Sequence, residues 1–489
     1  AAFIRDFYGP EVYGWMEQLK AAWDPAGLLN PGKIVGAKGM LEDLRYAADA
    51  PEPKVESYLD FSSDGGFLRA VEKCNGSGDC RRLPFSDALM CPSYMASKDE
   101  WDSTRGRANV LRSVLTEQDQ AGFSAAEVGA ALEHCVGCKG CTKECPSGVD
   151  MAAMKLEYLY QNRGKRTLAQ FAVAHVHLTK HLRWMRGLLN TVQRTALFKK
   201  AMKLSQRTSL PELESGTLLH HLLQSHAPKK VRSASEAASA DSEAASVLLW
   251  ADEFTALYES ERLGKAVDVL EALGFKVAMV YAPSGRALLS GGFLPQAKRA
   301  AARAIRALDE AWQTLEPTAI LGLEPSAVLS AKDEYLRLLD GALLERTKAL
   351  GPHFMTLDRF LAQQTRTGAL ASRKEAFSKM NETVLVHQHC HQKALEARGE
   401  TAYVLQVLLG ARVQEVKSSC CGMAGSYGMQ AKNAEMSEKM ASLALLPAVA
   451  QFEERWILAT GTSCRHQIAS LSEREAAHLV DLLWHQLKS

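Results

Sequence analysis

The hydrophobic rhythm of the chain changes about halfway along. Beyond residue 246, short and wholly apolar runs alternate with longer stretches whose apolar positions recur at helical spacing. The runs at 247–250, 277–280, 319–323, 384–386, 413–416 and 456–459 read as buried strands, and 263–273, 296–308 and 402–409 read as helices between them. Such alternation predicts α/β layers built on parallel sheets.

The same half repeats itself. SGGFLPQAKRA at 290–300 returns loosely as AGSYGMQAKNA at 424–434, and LEPSAVL at 323–329 corresponds to TGTSCRH at 460–466. Each copy of the first segment follows a strand and a small-residue turn, Pro283-Ser284-Gly285 in one case and Cys420-Cys421-Gly422 in the other. Two copies of one α/β unit are expected, the first without cysteines.

Residues 161–210 break from the even charge of the rest. They contain no Asp or Glu, while Arg163, Lys165, Arg166, Lys180, Arg183, Arg186, Arg194, Lys199, Lys200, Lys203 and Arg207 recur among apolar positions such as Leu182, Met185, Leu188 and Leu189. A pair of helices docked on acidic neighbours or facing solvent explains this pattern, and so does a peripheral contact with an anionic membrane surface. The Ala/Ser/Glu-rich stretch at 233–246 has little to bury and reads as a linker.

With 489 residues, 47% of them apolar and 23% charged, the chain is long enough for two to four domains. A net charge of +2 argues against a nucleic-acid binder. No apolar run approaches the roughly 20 residues that span a bilayer. Phe3, Arg5, Asp6 and Tyr8 interrupt any signal-peptide core, so the cytoplasm is the expected compartment, with peripheral contact at the inner membrane face as its variant. A start at Ala1 rather than Met suggests a piece of a longer chain.

The 11 cysteines fall mostly in tight groups, a spacing suited to converging on metal rather than to disulfides. Cys135-x2-Cys138-x2-Cys141-x3-Cys145-Pro146 is the run of a two-cluster ferredoxin. Its first three thiolates reach one cubane, and the cysteine before proline is directed to a neighbouring cluster. Cys74-x5-Cys80-x10-Cys91-Pro92 supplies the partner set. Cys91 is then expected to complete the cluster of Cys135, Cys138 and Cys141, while Cys145 joins Cys74 and Cys80. Ser77 stands where the middle cysteine belongs. That cluster is therefore either three-iron or four-iron with an oxygen ligand such as Ser77, Asp79 or water. Two linked clusters pass single electrons.

Cys390, Cys420, Cys421 and Cys464 each follow a predicted strand, with His387, His389, His391 and His466 nearby. The carboxyl edge of a parallel sheet is where ligands usually sit. A third iron–sulfur cluster, a zinc ion and a redox dithiol all suit this group.

Several segments resemble a known family. AAWDPAGLLNPGKIV at 21–35 is similar to the closing segment of flavin-linked oxidases of the vanillyl-alcohol-oxidase class. MCPSYMASKDEWDSTRGRANVLR at 90–112 and CVGCKGCTKECPSGVDM at 135–151 resemble the ferredoxin-type segment fused to it. The surroundings of Cys390 and CCGMAGSYGM at 420–429 resemble the cysteine-rich CCG domains of glycolate oxidase iron–sulfur subunits and heterodisulfide reductases. In this order they are similar to flavin-dependent D-2-hydroxyacid dehydrogenases of the D-lactate, glycolate or D-2-hydroxyglutarate type. The resemblance implies FAD in the full-length protein, with Asn30, Pro31 and Gly32 at the edge of its site. It also implies an upstream flavin domain as partner, and a quinone, cytochrome or similar acceptor for the electrons. Arg105 and Arg107, in a segment that follows the family pattern, read as positive charge near the clusters or as a solvated helix start.

The expected fold is α+β and multidomain. A remnant of a flavin-linked oxidase domain at 1–40 precedes a helical, two-cluster ferredoxin-like domain at 41–160 and a basic helical segment with linker at 161–246. A duplicated α/β CCG domain with parallel sheets follows, degenerate at 247–345 and intact at 346–489. The expected function is electron transfer within a D-2-hydroxyacid dehydrogenase. A heterodisulfide-reductase-like enzyme and a non-catalytic electron carrier are the alternatives, the former weakened by the missing cysteines of the first unit.

Overall fold

The computed structural model describes residues 3–42, 53–83, 88–116, 122–165, 168–229 and 245–488. The chain divides into two compact units, residues 1–54 and 55–489.

The first unit is built on the helix Ile4–Trp23, which breaks at Gly9 (φ 81°) before Pro10, where the i→i−4 ladder loses its donor. Past its end, the Asp24 carboxylate accepts from the backbone N–H groups of Leu28 and Leu29, each at 2.8 Å, and pairs with Lys20. This closes the chain into a turn that carries Asn30, Pro31 and Gly32, all exposed.

The second unit begins with short helices threaded by cysteine loops: Phe67–Glu72, Pro92–Ser97, Thr104–Thr116, Ala126–Glu133, Gly140–Glu144 and Met151–Gln161. Thr104-Arg105-Gly106-Arg107 explains itself here. A Cβ on Gly106 would lie 2.0 Å from the Glu100 carbonyl oxygen, so only glycine lets the helix start pack against that turn. Arg107 is only 2% exposed. Its guanidinium donates to the Ala131 carbonyl at 2.8 Å and to Ser93 Oγ at 2.9 Å, and pairs with Asp102 at 3.2 Å. It is thus not a solvated helix start but a buried positive charge that clamps three segments and lies close enough to Cys91 to act on its thiol.

The basic segment folds as the helix Leu168–Ala174, a 3-10 stretch Val176–Met185 and the helices Arg186–Arg194 and Ala196–Ala201. Most of the proposed linker, up to residue 244, lies outside the described residues.

Seven parallel strands follow in two sheets. Strands β1 (Ser246–Ala251), β2 (Lys276–Tyr281), β3 (Ala319–Gly322) and β4 (Phe354–Thr356) form one in the order β2-β1-β3-β4. Strands β5 (Thr383–His387), β6 (Arg412–Glu415) and β7 (Trp456–Ala459) form the other in the order β6-β5-β7. All six expected strands are present, and three strands of each sheet share one crossover order. β4 escaped the sequence pattern because it is only three residues long and follows directly on Pro352 and His353. It pairs in register with β3, Ile320 opposite Phe354, so the segment beyond 345 begins in the first sheet.

Leu248 and Trp250 of β1 pack with Leu294, Ile305 and Leu308 of the helix Leu294–Leu315. Val247, Leu249 and Ala251 share a second core with Val384, Val386 and Leu458 of the other sheet. Coverage of both faces explains why the strands read as continuous apolar runs. The expected helix at 402–409 is an α-helix over Glu400–Val404 that widens into a π turn, Leu405–Leu409. Among the described residues, no helix is long and apolar enough to cross a membrane.

Candidate iron–sulfur and metal centre

All 11 cysteines are free thiols, and within residues 55–489 they gather into three neighbouring groups. Cys74, Cys80 and Cys145 line one pocket together with Ser77, Asp79 and Arg105. Cys145 reaches it from the C-terminal end of the helix Gly140–Glu144. The backbone N–H of Arg105 donates to Cys80 Sγ at 3.4 Å, and the Arg105 side chain is held by Glu100 at 2.7 Å. Arg105 therefore brings positive charge to Cys74 and Cys80, while the buried Arg107 acts on Cys91. Burial raises the Cys74 thiol above its ordinary value.

Cys91 sits at the start of the helix Pro92–Ser97 in a left-handed conformation, φ 53°. Its sulfur accepts the Thr104 backbone N–H at 3.1 Å and lies 3.0 Å from the Thr104 hydroxyl, at the N-terminus of the next helix. That anchoring sets the thiol beside Cys80. Hydrogen bonding with Cys91 holds Cys80 down to about 6, with the Arg105 N–H assisting against burial. The same pairing and complete burial push Cys91 up. The sequence placed Cys91 with Cys135, Cys138 and Cys141; its thiol neighbour here is Cys80.

Cys135 and Cys138 lie on the loop that enters the helix Gly140–Glu144, and Cys141 is in its first turn. Burial is the first cause that pushes Cys138 well above the thiol range and Cys141 up to about 12, so without metal these groups are neutral. The loop is clamped from both α/β units. Lys139, 1% exposed, pairs with Asp333 at 2.6 Å, Asp150 at 3.4 Å and Glu334 at 3.7 Å. Burial opposes ionisation of Glu334, but Arg286 and Lys139 together hold it down to about 2. From the second unit, His391 Nε2 lies 2.9 Å from the Gly137 carbonyl oxygen, and Cys138 packs on the core that contains Cys390, Cys420, Cys421 and Cys464.

That last group stands at the carboxyl edge of the second sheet. β5 leads to Cys390 at the start of the helix Cys390–Leu395, β6 to Cys420 and Cys421, and β7 to Cys464 in the helix Thr462–Leu471. Thiol hydrogen bonding runs from Cys390 to Cys420, on to Cys421 and from there to Cys464. A Cβ on Gly422 (φ 88°) would meet the Ser437 carbonyl oxygen at 2.3 Å, so glycine is required beside the vicinal pair. The Lys393 ammonium donates to the Ser418 carbonyl among these thiols, and burial lowers its pKa.

His387, noted in the sequence only as a neighbour, belongs to the site itself. Its Nδ1 lies 2.9 Å from Ser418 Oγ, while Nε2 is buried with no hydrogen-bond partner. The ligating atoms of His387, Cys421 and Cys464 lie within 4.8 Å of one another. Burial lowers His387 well below the usual imidazole range, which keeps it neutral and fit to bind metal. The sequence signal was its position at the end of an apolar strand; the orphaned nitrogen is visible only in three dimensions. An unpartnered buried nitrogen facing two thiols fits a metal ion better than an empty core.

Residues 73–150 match the family described as 4Fe-4S dicluster domain, and residues 1–34 match FAD linked oxidases, C-terminal domain. The chain is 27% identical over 536 aligned residues to D-2-hydroxyglutarate dehydrogenase of Escherichia coli (strain K12), covering 100% of this chain and 50% of that protein. It is 24% identical to the enzyme of the same name from Haemophilus influenzae, covering 99% of this chain and 50% of the relative. The chain thus spans about half the length of these relatives. The glycolate oxidase iron-sulfur subunit of Escherichia coli (strain K12) is 24% identical, over 86% of this chain and 96% of its own length. No solved structure matches the chain.

Proposed function

We propose, for a chain that corresponds to the iron–sulfur region of D-2-hydroxyglutarate dehydrogenase-like FAD oxidoreductases, that it carries electrons away from a flavin that oxidises a D-2-hydroxyacid. D-2-hydroxyglutarate is the first substrate of this reading; D-lactate and glycolate are its close variants. A quinone or cytochrome-type acceptor receives the electrons. The observation that carries the reading is the packing of the Cys135–Cys141 loop between the pocket of Cys74, Cys80 and Cys145 and the thiols of the second sheet. Two adjacent cluster-type groups make a relay, which a structural staple does not need.

Cys74, Cys80 and Cys145 would hold one cluster, with Ser77 or Asp79 as an oxygen donor at its open corner. Cys135, Cys138 and Cys141 would hold the other, and Cys91, between the two groups in sequence, is the remaining thiolate available to either. When bound, FAD supplies a two-electron acceptor and the clusters supply one-electron steps. His387, Cys421 and Cys464 would suit a single ion after a small inward adjustment, because their ligand atoms lie within 4.8 Å of one another and donors around one tetrahedral centre with bonds of about 2.0–2.3 Å lie under about 4 Å apart. Lys393 would offset the charge of the thiolates there.

The test uses the whole protein, flavin half included. D-2-hydroxyglutarate should reduce both a dye that takes electrons directly from flavin and a distal quinone. Cys138→Ser should abolish only the distal reaction. A variant that still reduced the distal acceptor at the wild-type rate would refute the relay, and failure to turn over any D-2-hydroxyacid would refute the substrate class.

A further inference from the structure

The helix Arg186–Arg194 is docked the wrong way round for a soluble surface helix. Two of its polar residues face the protein: Asn190 exchanges hydrogen bonds with the backbone of Leu213, 3.1 Å to the carbonyl and 3.0 Å from the N–H. Gln193 Nε2 donates to the Pro211 carbonyl at 3.1 Å. The apolar residues point outward at helical spacing instead. Trp184 is 81% exposed, Leu188 58% and Val192 40%, and Leu197 on the following helix is 78% exposed. Singly exposed apolar residues are ordinary; Trp184, Leu188 and Val192 at four-residue spacing, followed by Leu197 just past the extended Thr195, are not.

Charge says what covers this stripe. The segment 161–210 carries no acidic residue. Arg194 and Arg207 are matched by Glu212 and Glu438 from outside it, whereas Arg186, Lys200 and Lys203 are exposed with no ion pair among the described residues. Apolar side chains including a tryptophan, flanked by uncompensated cations, have the chemistry of an interfacial segment, with the ring and aliphatic groups entering the acyl boundary and the cations meeting lipid phosphates. We infer that the outward face of Trp184, Leu188, Val192 and Leu197, with Arg186, Lys200 and Lys203 around it, docks on an anionic lipid surface. The inference is independent of the substrate and of the clusters.

Cosedimentation of the anaerobically purified chain with vesicles tests it. The chain should pellet with phosphatidylglycerol vesicles at low salt, remain soluble with phosphatidylcholine vesicles, and be released by 0.5 M salt. Removing each cation should weaken binding about fivefold. W184E/L188E should abolish binding while circular dichroism and visible absorption stay unchanged. Retained binding by that variant, or equal binding to neutral vesicles, would overturn the proposal. So would a wild-type chain left in the supernatant with phosphatidylglycerol, which would assign the face to a protein partner.

Discussion

The two α/β units present the same strand edge with opposite chemistry. At the carboxyl end of the first sheet stand Asp252, Glu253, Ser284 and Glu324; at the corresponding edge of the second stand His387, Cys390, Cys420, Cys421 and Cys464. At the first edge Asp252, Glu253 and Ser284 are hydrogen-bonded within the unit. Glu253 accepts from the Ser284 backbone at 2.5 Å and from its hydroxyl at 2.8 Å, Tyr335 donates to the Ser284 carbonyl at 2.5 Å, and Asp252 caps the helix Glu253–Tyr258. The second edge keeps a buried imidazole nitrogen without a partner. One is a set of hydrogen-bonded carboxylates and the other is a set of donors that would suit an ion.

The difference also gives the first unit a task. Its Glu324 accepts the Thr462 backbone N–H at 2.8 Å, at the start of the helix that carries Cys464. Its Glu259 grips Arg465 of the same helix, at 2.8 and 2.6 Å. Asp333 and Glu334 hold Lys139 of the cluster loop. Without thiols of its own, the first unit braces the thiols of its neighbours.

The largest expected effect comes from cutting that brace. Glu259→Gln leaves Arg465 buried without its counter-charge and should cost about 3–5 kcal/mol in chemical denaturation. Although burial opposes it, Arg465 and then Arg262 hold the Glu259 carboxyl down to about 2, against an ordinary 4.5. A depressed carboxyl stabilises the fold fully above its unfolded value. The contribution, about 3 kcal/mol, should therefore fade as pH falls from 4.5 toward 2 and be absent in the variant. Stability that depended equally on pH in both proteins would break the account of the brace.

A smaller effect of opposite sign should follow at the first edge. Burial, then the charges of Glu253 and Glu324, push Asp252 well above its ordinary value. The folded form thus keeps a proton that the unfolded chain releases, and stability falls as pH rises past 3.8. Asp252→Asn keeps the helix cap, since asparagine caps as well as aspartate. It should raise stability at pH 7, read as a higher denaturation midpoint than wild type. Near pH 3.8 the gain should vanish. A variant less stable than wild type at pH 7 would show that the edge depends on its charge.

How much of this was legible in the sequence follows the range of each interaction. Cys135 to Cys145 could be read because ligand spacing is local, and six strands could be read because burial on both faces makes them apolar throughout. β4, a strand of three residues, had no such pattern. The two readings of Arg107, charge near the clusters or a solvated helix start, could not be separated because its partners Ser93 and Ala131 are set by folding, and Lys139 gave no hint of Asp333 and Glu334, nearly two hundred residues away. Cys91 was assigned by ferredoxin spacing to Cys135, Cys138 and Cys141; the helix start at Thr104 also brings its thiol to Cys80, in a core shared with Cys135 and Cys141, a contact that spacing does not show.

The central claim is that thiolate groups in contact carry redox metal and that the orphaned His387 marks a separate ion. Iron, acid-labile sulfide and zinc should be counted per chain after anaerobic purification, in the wild type and in His387→Ala, alongside electron paramagnetic resonance of the reduced samples. The account expects two iron–sulfur clusters in both proteins and one further ion that the variant loses. A colourless wild type without sulfide, or a variant with unchanged metal content, would contradict it.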